Sequence, residues 1–372
     1  MVALLLRKIF DRLLSFAFWL CILGLVWLVL QVIGFTSFRI PTDSMIPTLQ
    51  PGDCILVNKG IMGGRIFDIF ASAEGEEVPV SRLTGWRKLK RNDVVVFNDP
   101  YARSNDYMSM DLMRYYVKRC IALPGDTLEI VQGHYRIKGL DEPIGNVKAQ
   151  ERMARLVPAD AVRVMMRSYP WDEYVGWTVQ NFGPLAVPSK GQTMQMDSTA
   201  VKLYRNLIGW EQKRPLNRKG NQVLLGDSVI TEYRFQENYY FVGGDNMENS
   251  KDSRYWGLLP EAYIVGVATH IWKSIDPTTD EIRWERVLKK VSEIFMSNSP
   301  DSDVRSSVLH EFVSSDPLLR LSVQPFLCLL SSVVWLLEAS SPFLSPDDKL
   351  TEYCQYPPAD IDGCFHRLYE EL

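Results

Sequence analysis

The pattern of apolar and polar positions begins with one uninterrupted run. Leu13 to Phe35 extends 23 residues without a charge, and only Ser15 and Gln31 within it are clearly polar. At ~1.5 Å per residue, a helix of this length covers about 34 Å, enough to cross a hydrocarbon core of roughly 30 Å. Arg7, Lys8 and Arg12 oppose a single Asp11 in residues 1–12. That positive flank is expected to stay in the cytoplasm, which puts everything after Phe35 on the outer side. A cleavable leader would have a shorter apolar region, about 7–15 residues, followed by a small-x-small site. Here the run is longer and leads into Thr-Ser-Phe-Arg-Ile, so residues 13–35 read as a permanent anchor.

Beyond the anchor the apolar positions come in short blocks. Asp53–Lys59 follows the Pro51-Gly52 turn signal. Asp93–Phe97 is nearly continuous in valine, Tyr115–Ala122 follows, and Pro124-Gly125-Asp126 turns the chain into Thr127–Val131. Tyr135–Ile137 after Gly133 predicts a hairpin. Tyr239–Val242 and Tyr263–Ala268 are further strands, and Glu281–Val291 reads as a short strand with a basic tail. Gly60–Arg87 has the composition of a surface excursion, and a short helix is expected to open at Val201 and run toward Trp210. Asn181–Pro188 reads as loop or edge strand, because proline cannot serve inside a sheet. Many short strands with close turn signals predict a mainly β fold: an N-terminal transmembrane helix followed by an antiparallel β-sheet domain with an inserted subdomain. The segments expected are 36–138 and 223–292 for the core, with 139–222 inserted between them. Residues 293–372 form a C-terminal extension, which opens on the linker-like Ser297–Asp303. Its apolar patch Phe326–Leu337, at twelve residues, is too short to span a bilayer.

Composition narrows the partners. A hydrophobic fraction of 46% and a net charge of −4, with no basic stripe, give no reason to expect nucleic acid. Six cysteines form no CxxC pair and have no metal-ligand spacing with the four histidines, so neither metal nor cofactor is expected. Cys54 and Cys120 would pair only if their strands were neighbours in an oxidising compartment.

Three stretches carry candidate chemistry. Phe38–Leu49, Phe-Arg-Ile-Pro-Thr-Asp-Ser-Met-Ile-Pro-Thr-Leu, presents Ser44 between Pro41 and Pro47, which exclude a regular helix. Tyr115–Asp126 contains Lys118, which an alternating strand points to the same side as Cys120, with Val117 and Arg119 opposite. Gly244–Gly257 reads Gly-Asp-Asn-Met-Glu-Asn-Ser-Lys-Asp-Ser-Arg-Tyr-Trp-Gly. A serine nucleophile needs a base and oxyanion donors. His134 and His270 are the histidines of the outer region, and neither lies in a histidine motif. A lysine made neutral by burial can replace one, with no third carboxylate required.

Together the three stretches resemble bacterial type I signal peptidase, a membrane-bound serine–lysine endopeptidase, over roughly residues 1–290. The resemblance implies Ser44 as nucleophile and Lys118 as general base. It also implies an oxyanion hole from the Ser44 N–H and the Thr42 hydroxyl, and Ser250 orienting the lysine amine. Asp245, Asn246, Asp252 and Arg254 become structural residues near the site, the last two as an ion pair. Phe38, Ile40 and Val117 would line shallow pockets for small side chains before the cut. The expected activity is removal of signal peptides from secreted preproteins after Ala-x-Ala-like sequences, on the outer face of the cytoplasmic membrane, with the lipid bilayer as the other partner. Two alternatives stand beside it. A self-cleaving repressor-type protease would carry a DNA-binding domain where the anchor stands. A membrane-tethered, non-catalytic β domain would bind preproteins or envelope proteins without turnover.

Overall fold

A computed structural model describes residues 2–29, 34–68, 71, 78–101, 104, 107–111, 114–157 and 164–297. Helix α1 (Val2–Val29) holds the apolar window Phe10–Trp27, of mean hydropathy 1.6, none of it buried against protein. By length and composition it can cross a membrane. The helix begins within the segment read as a flank, and Phe35 falls outside it. Phe35 opens strand β1 (Phe35–Arg39), opposite Asn58. An apolar count cannot separate a helix end from an edge strand that begins on an aromatic residue.

Four more strands follow before the second long pairing: β2 (Asp53–Asn58), the two-residue pair β3 (Arg65–Ile66) and β4 (Ser81–Arg82), and β5 (Val94–Asn98). Next come β6 (Tyr115–Ala122) and the hairpin of β7 (Thr127–Val131) with β8 (His134–Ile137). Helix α2 (Val147–Ala154), capped by Asn146, precedes β9 (Phe182–Ala186), β10 (Thr193–Gln195) and α3 (Ser198–Gln212), capped by Asp197. Four short strands follow: β11 (Leu216–Lys219), β12 (Gln222–Leu225), β13 (Ser228–Ile230) and β14 (Glu232–Arg234). The chain then returns through β15 (Tyr239–Gly243), α4 (Ser253–Trp256), β16 (Leu259–Pro260) and β17 (Ile264–Ser274), and the described part ends on α5 (Val291–Ser297).

The main sheet is antiparallel, in the order β1-β2-β17-β5-β6-β15-β16. Strand β5 explains why the valine run is continuous: the sheet is covered on both faces, so both sets of alternate positions are apolar. Val94 and Val96 join the cluster with Ile40, Met45, Leu49, Ile55 and Ile271. Val95 and Phe97 join the other, with Cys120, Val242 and Tyr263. A third cluster runs from Ile121 and Phe241 into Leu128, Ile130, Phe182, Tyr204 and Leu207. It ties Phe182, Tyr204 and Leu207 to the main sheet. Hydrogen-bonding partners extend past residues 139–222 on both sides, since β9 pairs with β7 and β10 pairs with β14.

Strands β17 and β5 lie between β2 and β6, so Cys54 and Cys120 stand three strand spacings apart, about 14 Å. They are not bonded to each other. Residues 298–372, with the Phe326–Leu337 patch, lie outside the described residues.

Candidate active site

The site is assembled from a turn, a strand and a return loop. After β1 the chain leaves the sheet, and Ile46 N–H donates to the Asp43 carbonyl at 3.0 Å while Leu49 N–H donates to that of Met45 at 3.0 Å. Met45 and Leu49 are buried in the cluster beneath and anchor this turn, leaving Ser44 at its rim, 9% exposed. The end of the turn is held by Asp53. Its carboxylate accepts from Arg286 Nη2 at 2.6 Å and Ser274 Oγ at 2.7 Å, while the same Arg286 nitrogen donates to the Thr48 carbonyl at 2.9 Å.

Strand β6 supplies the cations. Its register sets Lys118 opposite Val95 and Arg119 opposite Val94, so the two side chains leave opposite faces. Both are buried, at 3% and 1% exposure. Lys118 Nζ is hydrogen-bonded to Ser44 Oγ at 2.6 Å. Burial pushes the Lys118 ammonium down to about 8. The charges of Asp252, Asp245 and Asp43 act in the opposite direction, and that of Arg254 acts with the burial. Arg119 is held by Asp245, with Nε to Oδ1 at 2.6 Å, and by the Asn92 carbonyl at 2.7 Å; its guanidinium lies 3.6 Å from the centroid of the Phe295 ring on α5. Thr48 Oγ1 donates to the other Asp245 oxygen and accepts from Arg119 Nη2 at 3.1 Å.

The return loop follows β15. Gly244 N–H donates to Asp252 Oδ2 at 2.9 Å, and Arg254 is paired with Asp252, Nε to Oδ1 at 2.8 Å, both side chains fully buried. Burial alone would raise the Asp252 carboxyl, but the Arg254 charge and hydrogen bonds outweigh it and hold it below its usual range. Asn246 N–H donates to the Ser44 carbonyl at 3.0 Å, and Asn146 Nδ2 donates to the Asp245 carbonyl at 3.0 Å. A Cβ on Gly244 would stand 2.1 Å from Ser250 Oγ and 2.7 Å from the Ser44 carbonyl oxygen, so glycine is what lets this loop approach the turn.

The structure therefore brings Ser44, Lys118, Asp245, Asn246, Asp252 and Arg254 to one place. Ser250 Oγ is buried there with no hydrogen-bond partner, and Lys118 Nζ bonds Ser44 rather than Ser250. Thr42 is exposed on the turn, two residues before Ser44. No backbone acceptor among the described residues engages the Ser44 N–H. Phe38 and Val117 are partly buried and pack on the cluster that contains Ile40. His134 is on β8 and His270 on β17, apart from this site. Among the described residues no group of His, Cys, Asp and Glu is placed to hold a metal ion. Sequence reasoning missed Asp43, Thr48, Arg119, Asn146 and Asn249. Asp43, Thr48 and Asn249 lay inside the three candidate stretches, and Arg119 was visible only as a second charge beside Lys118.

A family model described as signal peptidase, peptidase S26, matches residues 13–273. Signal peptidase I of Buchnera aphidicola subsp. Schizaphis graminum is 26% identical over 275 residues, covering 70% of this chain and 75% of that protein. The Haemophilus influenzae enzyme of the same name is 26% identical over 289 residues, covering 71% and 72%. That of Helicobacter pylori is 26% identical over 290 residues, covering 72% and 90%. With more than half of its length matched, the chain belongs to the signal peptidase family, peptidase S26, whose members are serine peptidases that remove signal peptides.

Proposed function

We propose that this chain removes signal peptides from secreted preproteins on the outer face of the cytoplasmic membrane, using Ser44 and Lys118 as its reacting pair. The observation that carries this reading is the 2.6 Å contact between Lys118 Nζ and Ser44 Oγ, with both groups buried. A lysine whose proton leaves near pH 8 is partly neutral at physiological pH, and the neutral amine accepts the Ser44 proton. Ser44 Oγ then attacks the scissile carbonyl, and the oxyanion is met by the Ser44 N–H and the Thr42 hydroxyl. Lys118 returns its proton to the leaving amine and next activates the water that releases the acyl-enzyme. Ser250, buried beside the pair with its hydroxyl unbonded, would orient the amine only by turning its Oγ toward Nζ during these transfers. Phe38, Ile40 and Val117 offer an apolar lining at the end of β1 and along β6, which fits small side chains of an Ala-x-Ala-like sequence. Helix α1 would anchor the site with its positive flank inside, at the surface where the apolar segment of a preprotein delivers its cleavage site.

The test is cleavage of a model preprotein by the detergent-solubilised chain, beside Ser44→Ala and Lys118→Ala variants. Cleavage after a small residue is expected, absent in both variants while each keeps its fold. With one group titrating near pH 8, kcat/KM for the unmodified chain should rise roughly tenfold from pH 7 to pH 9. Persistent cleavage by either variant overturns the pair. No cleavage by the unmodified chain at any pH favours the binding-domain alternative.

A further inference from the structure

We propose that Asp43 is a positioning residue for this reaction, locking the Ser44 turn onto the 246–249 turn through both its carboxylate and its carbonyl. The inference rests on the reading that Ser44 and Lys118 are the reacting pair. Asn249 Nδ2 donates to both Asp43 carboxylate oxygens, at 3.0 and 2.9 Å. The Asp43 carbonyl accepts from Asn246 Nδ2 at 3.3 Å and from Ile46 N–H at 3.0 Å, and the next carbonyl, that of Ser44, accepts from Asn246 N–H at 3.0 Å. Two asparagines of one turn thus grip the peptide units on both sides of Ser44.

Peptide planarity gives this grip its consequence. The Asp43 carbonyl and the Ser44 N–H belong to one rigid plane and point in opposite directions. Donors that hold the carbonyl inward therefore aim the N–H outward, where the oxyanion would form. Without the latch, that donor is free to rotate with the turn, and a preorganised donor is worth far more than a mobile one. The carboxylate does a second thing. The charged groups acting on Lys118 are Asp252, Arg254, Asp245 and Asp43, and the Asp43 charge favours the protonated amine. Geometry and charge at position 43 can be separated, because asparagine retains an oxygen acceptor for Asn249 but carries no charge.

The experiment measures kcat and KM from pH 6 to 10 for the solubilised full chain and for D43A, D43N, N249A and D43A/N249A. S44A and K118A are run alongside, and thermal midpoints check folding. Both positions lie at the surface or partly so, and midpoints should stay within a few degrees. At the alkaline plateau, D43A and N249A should each lower kcat roughly 3–10-fold with little change in KM, the size of one ordinary solvent-exposed hydrogen bond. The double variant should be no worse than the poorer single. D43N should recover most of the plateau lost in D43A, with its acid limb displaced to lower pH. A merely structural role would move the midpoint and leave the limb in place. Plateau kcat within twofold of the unmodified chain in both single variants overturns the proposal, as do double-variant losses that multiply. Turnover by S44A or K118A overturns the reacting pair instead, whatever the Asp43 variants show.

Discussion

Replacing Lys118 by methionine should abolish turnover and yet relieve a folding penalty that depends on pH. Methionine has a similar length and no charge. In the unfolded chain the ammonium loses its proton near 10.5, and in the buried site it does so near 8. Between these values the unfolded state binds more protons than the folded one, so stability rises with pH across that window. The penalty is fully present below pH 8 and is gone above 10.5. At ~1.4 kcal/mol per unit, it amounts to about 3 kcal/mol at pH 7 and under about 1 kcal/mol at pH 10. The variant also leaves Ser44 Oγ without its amine, a cost of about 1 kcal/mol that does not vary with pH. The stability of K118M relative to the unmodified chain should therefore fall by about 2 kcal/mol from pH 7 to pH 10. Urea unfolding followed by tryptophan fluorescence, in one detergent at both pH values, measures it. Other titrating groups cancel because the two proteins differ at a single side chain. A difference that is the same at both pH values would refute the reasoning. A K118M variant less stable than the unmodified chain by the same amount at both pH values would mean Lys118 is held as an ammonium by its carboxylate neighbours, a contribution lost only above pH 10.5.

Gly244→Ala would force a Cβ to within 2.7 Å of the Ser44 carbonyl oxygen and 2.5 Å of Ser250 Cβ. Relief moves the nucleophile turn by several tenths of an ångström, so kcat should fall on the order of 10–100-fold in a cleavage assay, out of proportion to any change in thermal midpoint. Asp245→Ala leaves the Arg119 guanidinium buried without its carboxylate, and denaturant unfolding should register a loss of about 3–5 kcal/mol. Asp245→Asn, which keeps one acceptor, should lose less.

Five strands of the main sheet, β2, β5, β6, β15 and β17, were legible because each apolar block was short, ended in a turn signal and was rich in β-branched residues, whereas β1 and the two-residue β16 were not. Strand β6 had its full extent in the sequence, and β5 was displaced by one residue. Helix α3 was visible as a weak apolar period, but its start at Ser198 was set by the Asp197 cap, three residues before Val201. The pairing of β9 with β7 on its other side was not legible. Strands β7 and β8 look like a continuation of the core until β9 is seen to return to them, and that pairing joins residues more than fifty apart. At the site, the sequence pointed to the chemistry but not to its support. Arg119 next to Lys118 reads as a solvated charge, and only the return of Asp245 from β15 makes its burial tolerable. Asp43 lies inside the Phe38–Leu49 stretch, but nothing there singles it out, because its partner Asn249 is remote in the chain.

If Lys118 acts as the proposed base, the arrangement of charges around it resolves a conflict built into that role. The amine must be held rigidly, and carboxylates are strong acceptors for that purpose, yet a carboxylate left alone beside a lysine keeps it protonated. Here Asp245 and Asp252 each bond their own guanidinium, from Arg119 and Arg254, at distances that leave neither carboxylate unpaired. The pairing fixes the loop and the strand mechanically, and Arg254 offsets part of the Asp252 charge at Nζ. Burial is the largest influence on the amine and outweighs the Asp252, Asp245 and Asp43 charges that favour the ammonium. The hydrogen bond that reaches Nζ among those described comes from Ser44, the group whose proton it would take in the proposed reaction. Rigidity is thus supplied by ion pairs that sit one bond network away from the amine, and neutrality by the apolar sheet that buries it.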